Sequence, residues 1–186
     1  MLKAGLFGLA LLAGCGTVEN MSQTLQLQVK GDALHVDGLI NTRALRQFTQ
    51  ALDDNPALRE VVLGDVEGSI DDEVVAEMGY QLRERGLNTR MTADSEVFSG
   101  GVDLFLAGVE RSVAAGAVMG VHEWKSGFGS ARDYPRDSSE HDQTRDYTED
   151  MLGSDAFYWF TIEAAPFDDV HVMTRSEMIK YGVVTR

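Results

Sequence analysis

The chain is 186 residues long and carries 30 Asp and Glu against 16 Lys and Arg, a formal net charge of −14. So acidic a balance argues against nucleic acid and against anionic lipid surfaces as partners, because binding phosphate needs clustered basic side chains. A single cysteine excludes any disulfide within the chain.

The N-terminus reads as a targeting segment. Lys3 supplies its charged region and residues 4–12 a short apolar run, too short to span a bilayer as a helix. Leu12-Ala13-Gly14-Cys15 then matches the bacterial lipobox, in which small residues precede a cysteine that is lipidated and becomes the mature N-terminus. The one cysteine of the chain falls at the one position this requires. The expectation is a lipoprotein signal peptide over residues 1–14, a membrane anchor through lipid at Cys15, a tether over 15–22 and an α/β domain over 23–186. By resemblance to bacterial lipoproteins, Gly16 in place of Asp after the cysteine points to the periplasmic face of the outer membrane. The 172 residues from Cys15 onward suffice for one domain with a sizeable core.

Residues 24–30 alternate polar and apolar side chains and residues 33–40 are apolar again after Gly31-Asp32, which predicts a hairpin. Thr42 is a candidate cap for a helix over 43–52 that stops before Asn55-Pro56. A strand over 60–63, a helix from Ser69, Asp71 and Asp72 to Arg85-Gly86, and a strand over 87–91 follow. The order strand, helix, strand argues for βαβ units and a mostly parallel sheet. After Ser99 come a helix reaching Gly108, strands near 111–114 and 117–122, and an unassigned glycine- and charge-rich loop over 125–137. An acidic helix over 138–152 and a second helical segment from Phe157 to Ala165 come next. Thr174-Arg175-Ser176-Glu177 is a capping box that opens a last helix, ending at Gly182.

Two residues invite chemistry. Ser99 stands where a polar stretch gives way to the helix, close to backbone N–H groups that could stabilise an oxyanion. His122 ends the apolar run Ala117-Val118-Met119-Gly120-Val121, where a strand end can hold an imidazole rigidly. The plain alternatives are a helix cap for Ser99 and a structural or surface role for His122. His35, His141 and His171 show no metal-ligand spacing, and Asp137, Glu140, His141 and Asp142 read as a solvated helix start rather than a metal site. Trp124 and the run Phe157-Tyr158-Trp159-Phe160 read as core, with a substrate wall or subunit interface as the sharper alternative.

Taken together these segments resemble the proteolytic subunit of the Clp protease, and more closely the ClpP-like periplasmic proteins of the ClpP/crotonase-like superfamily. The resemblance rests on Val61-Val62-Leu63 through Gly68-Ser69, on Ser99-Gly100 with Leu104-Phe105-Leu106-Ala107-Gly108 behind it, and on Val118-Met119-Gly120-Val121-His122. The closing segment from Met173-Thr174 to Tyr181-Gly182-Val183-Val184 extends it. It implies repeated β-β-α units, a Ser99 nucleophile, a His122 base, an orienting acid at Asp169 with Asp168 next, and an oxyanion hole from the amides of Gly68 and Gly100. It implies a serine peptidase acting on a peptide or protein, with no cofactor, and admits a homo-oligomer. The other reading is a ClpP-fold lipoprotein that binds or assembles without turnover. Crotonase-type acyl-CoA chemistry is disfavoured for an exported protein. One departure stands out: where the family carries Ser-Pro-Gly-Gly, this chain has Asp65-Val66-Glu67-Gly68, which sets the Glu67 carboxylate beside the expected oxyanion.

Overall fold

The computed structural model describes residues 24–186, so the expected signal segment, Cys15 and the tether lie outside the described residues. Strands β1 (Gln26–Lys30) and β2 (Ala33–Ile40) form the expected antiparallel hairpin. Helix α1 (Thr42–Asp54) follows, and its cap is Asn41 rather than Thr42: the Asn41 Oδ1 accepts from the backbone N–H groups of Arg43 and Ala44, each at 3.0 Å. Thr42 is instead the first helical residue.

The chain then alternates β3 (Glu60–Ser69), α2 (Asp72–Glu84), β4 (Asn88–Phe98) and α3 (Gly100–Leu106), before β5 (Arg111–Val113) and β6 (Val118–Val121). Pairing is parallel from β2 to β3, β3 to β4, and β4 to both β5 and β6, the mostly parallel α/β sheet that was expected. Strand β9 (His171–Val172), which two residues of no clear alternation concealed, closes the far edge antiparallel to β6. Val36, Val61, Leu63, Val66, Met91, Val97 and Met119 are buried along the sheet, and each aliphatic side chain so withdrawn from water contributes about 1.5–3 kcal/mol.

Strand β4 runs seven residues beyond the apolar segment that announced it, and the reason is a bulge. Leu63 pairs with Met91 but Asp65 pairs with Glu96, so Thr92-Ala93-Asp94-Ser95 loop out against Gly64 alone. Buried Ser95 holds the bulge, donating from Oγ to the Leu63 carbonyl at 2.6 Å and accepting from the Thr92 N–H at 2.8 Å. The bulge divides the strand: Thr89–Met91 pair with β5, whereas Glu96–Phe98 pair with β6 and carry the chain up to Ser99.

The unassigned loop holds a short hairpin, β7 (Lys125–Ser126) and β8 (Gly129–Ser130), and a 3-10 turn at Ala131–Asp133. Ser138 caps a further 3-10 turn (Ser139–His141), and the acidic helix proper, α4 (Asp142–Leu152), starts four residues later than its sequence suggested. Helix α5 (Ala156–Ala164) and helix α6 (Arg175–Lys180), the latter opened by the Thr174–Glu177 capping box, complete the domain. No helix among the described residues is long and apolar enough to cross a membrane.

Candidate functional site

Ser99 joins β4 to α3 in a conformation that no other non-glycine residue among those described adopts, with φ 51° and ψ −127°. Such a backbone costs on the order of 1–3 kcal/mol and persists only where its surroundings enforce it. Here the enforcement is direct: the Ser99 N–H donates to the Gly120 carbonyl at 3.1 Å, and its own carbonyl accepts from Val102 N–H at 2.8 Å. The serine side chain makes no capping bond to α3. The hydroxyl is therefore not consumed by the role that a serine at a helix start usually fills.

Two glycines allow close packing around the serine, Gly68 against Ser99 itself and Gly100 against Ser69. A Cβ on Gly68, itself at φ 132°, would lie 3.1 Å from Ser99 Cβ and 3.6 Å from Ser99 Oγ. A Cβ on Gly100 would lie 2.5 Å from the Ser69 Cβ, a distance no side chain tolerates. Gly100 is also the first residue of α3, where backbone N–H groups have no acceptor within the helix. At the other end of the helix the Arg83 and Arg111 guanidinium groups donate to the carbonyls of Leu106, Ala107 and Gly108. These cations complement the negative end of the helix. Burial, and then Arg83, brings Arg111 down to about 10, so it remains charged at neutral pH.

His122 follows the last residue of β6, half-buried, with Nδ1 2.7 Å from the carbonyl of Glu123. A carbonyl can only accept, so the neutral imidazole carries its proton on Nδ1 and leaves the Nε2 lone pair available. Ser99 and His122 line one cavity of about 50 Å³, which adjoins an open groove of about 390 Å³ bordered by Ile70, Lys125 and Phe167. No hydrogen bond joins their side chains in this structure.

The expected orienting acid is not behind the imidazole. Asp169 is exposed, with Oδ1 accepting from the Val170 N–H at 2.8 Å, and Asp168 is exposed beside it; neither lines the cavity. The Glu123 carbonyl occupies that role geometrically, a neutral acceptor in place of a carboxylate. Glu67 is exposed between buried Val66 and buried Gly68 and lines neither the cavity nor the groove, because alternation along β3 turns it to the opposite face.

Two carboxylates to which the sequence assigned no site role do line the cavity: Asp103, on the first turn of α3, and Asp72, expected only to open a helix and found at the start of α2. Burial, and then the charge of Asp72, pushes the Asp103 carboxyl up to about 7. Asp72 is raised too, by desolvation and then by Asp71. The signal for Asp103 was its spacing, four residues after Ser99 and so on the same helical face.

The wall opposite Ser99 comes from the aromatic segment. Trp124 Nε1 donates to the Tyr158 hydroxyl at 2.9 Å, and that hydroxyl meets His141 Nδ1 at 2.6 Å. His141 is 1% exposed and ringed by Trp124, Tyr134, Tyr158 and Trp159, which corrects the expectation of a solvated helix start there. Burial raises Tyr158 to about 12, so it stays a neutral donor. Among the described residues no group of three or more His, Cys, Asp or Glu is placed to hold a metal ion.

No protein-family model and no curated protein matches the chain. Among solved structures it is similar to a mutant of 1510-N, a membrane-bound stomatin-specific protease in complex with a substrate peptide, at 16% identity and TM-score 0.57, covering 82% of this chain and 72% of that one. It is similar as well to enoyl-CoA hydratases from Thermoplasma volcanium, at 11% identity and TM-score 0.54 over 90% of this chain and 73% of that one, and from Geobacillus kaustophilus, at 13% and 0.53 over 88% and 67%. The architecture is the ClpP/crotonase fold.

Proposed function

We propose that this protein is a peptidase-like serine hydrolase held at the bacterial envelope by lipid on Cys15. The observation that carries the reading is the strained Ser99, its hydroxyl unused for capping, opening with His122 into one cavity. In the reaction Ser99 Oγ attacks the substrate carbonyl carbon while His122 Nε2 takes the hydroxyl proton. The Gly68 and Gly100 N–H groups hold the oxygen that becomes negative. The imidazolium returns its proton to the leaving amine, and water, activated by the same nitrogen, releases the acyl group. The Glu123 carbonyl keeps the imidazole in the required tautomer.

A fluorophosphonate probe tests this directly. Wild-type protein becomes labelled and Ser99→Ala does not; a folded wild type that stays unlabelled overturns the reading. A second reading, a ClpP-fold module that binds without turnover, is favoured by the absence of a Ser99–His122 hydrogen bond, and the same experiment separates the two. Mass spectrometry of the membrane fraction checks the anchor: wild type carries lipid on Cys15 and Cys15→Ser carries none.

A further inference from the structure

Besides Ser99, His122 and the Gly100 amide, the cavity is lined mainly by groups that accept hydrogen bonds, with the Thr144 hydroxyl keeping a proton to donate. Asp72 and Asp103 contribute carboxylates from two different helices, and no described residue gives either of them a hydrogen bond or an ion pair. Thr148, only 2% exposed, spends its hydroxyl proton on the Thr144 carbonyl at 2.8 Å, and Thr161 spends its own on the Tyr158 carbonyl at 2.8 Å. Both threonine oxygens therefore have only lone pairs left to offer in the cavity they line. The Trp124 N–H, the nearest indole donor, is taken by Tyr158.

A cavity with two unpaired carboxylates, more acceptors than donors and no Lys or Arg in its lining is complementary to a group with several donors and a positive charge. Of the side chains, the lysine ammonium is the compact one of that kind, with three donors. A cavity of about 50 Å³, at roughly 10–15 Å³ per water-sized group, holds the ammonium and its last methylenes. Asp72 lines both this cavity and the open groove, so a chain lying in the groove can pass a side chain inward beside it.

We propose that this cavity is the specificity pocket for a lysine side chain on the substrate, with Asp103 at its base and Asp72 at its mouth. The proposal rests on the hydrolase reading for its substrate but not for its ligand chemistry. Desolvation strengthens the attraction, since a charge pair away from bulk water is screened little. The raised Asp103 carboxyl is consistent with a site that lacks its counter-ion when empty.

The test uses the full-length protein and matched fluorogenic peptide amides with lysine, norleucine or glutamate at the residue whose carbonyl is cleaved. The lysine peptide is expected to exceed the norleucine peptide in kcat/KM by tenfold or more. That ratio falls to near one in Asp103→Asn and, as an independent variant on another helix, in Asp72→Asn. Fluorophosphonate labelling together with equal cleavage of lysine and norleucine peptides overturns the pocket and leaves the hydrolase standing. If neither labelling nor cleavage occurs, thermal shift at pH 8 decides the pocket separately. n-Butylamine then raises the melting temperature of wild type, while n-butanol and the bulkier tetramethylammonium ion do not, and the gain vanishes in both variants. An equal shift with tetramethylammonium, or none with n-butylamine, overturns it.

Discussion

Ser99 and His122 are positioned by backbone, whereas the aromatic walls beside them are held largely by side chains. The serine sits between two parallel strands and the start of α3, its N–H on the Gly120 carbonyl and its helix tied at the far end by Arg83 and Arg111. Residues 122–165 have little regular sheet to rest on. They are joined by the Trp124–Tyr158–His141 chain, by Arg132 Nε on the Ile162 carbonyl at 2.8 Å, and by buried Glu123, whose Oε2 accepts from the Arg132 N–H at 2.9 Å. A nucleophile built on a sheet keeps its place when surface loops change. Walls built from side-chain hydrogen bonds can be altered by a single substitution, which suits a part of the site that shapes what it admits.

Replacing His122 by alanine separates the two regions most sharply. Hydrolysis should fall by roughly 10²- to 10⁴-fold, the span of general-base catalysis, with the circular dichroism spectrum unchanged. A fluorophosphonate labelling rate equal to wild type would mean that backbone strain alone activates Ser99.

Tyr158→Phe strikes only the second region. It leaves the Trp124 N–H and His141 Nδ1 without their shared partner, and unpaired buried groups cost about 1–3 kcal/mol, readable by urea denaturation. A change below ~0.5 kcal/mol, the scatter of ordinary surface substitutions, would show that the aromatic wall is held by packing instead.

Asp103 lies at the junction and its effect depends on pH. Its carboxyl titrates near 7 in the folded protein and at about 3.9 in an unfolded chain. Between those values the native state holds a proton that the unfolded state has released, so stability falls as pH rises from 4 towards 7 and stays low above it. Asp103→Asn should therefore raise the melting temperature by several degrees at pH 8 and change it little at pH 4. Equal gains at both pH values would show that the carboxyl is not desolvated.

The smallest effects belong to Asp169→Asn and Glu67→Gln. Both side chains are exposed and lie outside the cavity, so kcat/KM should stay within about twofold of wild type. A loss of a hundredfold in Asp169→Asn would require the segment after α5 to swing its carboxylate onto His122 in the working enzyme.

Much of the first region was legible in the sequence, because a core sheet writes itself in apolar runs. The hairpin of β1 and β2, the start of β3 and the parallel order all follow from periodicity. The upper half of β4 did not, since Thr92-Ala93-Asp94-Ser95 form a polar bulge that interrupts the pattern without ending the strand. The second region was barely legible: Trp124, His141 and Tyr158 are far apart in the chain and no local pattern couples them. Ser99 and His122 could be singled out because one marks a strand-to-helix junction and the other a strand end, in an order and spacing that resemble the ClpP-like proteins.

The amino-acid sequence by itself determined the fold class, the acidic charge, and the two residues that share the cavity, because local periodicity and the residues at element ends carry that information. Only the tertiary structure decided what surrounds them. It turned Glu67 away through the two-residue alternation of β3, put a backbone carbonyl rather than Asp169 behind His122, and brought Asp72 and Asp103 from separate helices to one cavity. The meeting of Asp72 with Asp103 joins separate helices packed over the sheet and no spacing within the chain records it; the other two are local, but show only once the extent of β3 and the place of the segment after α5 are known.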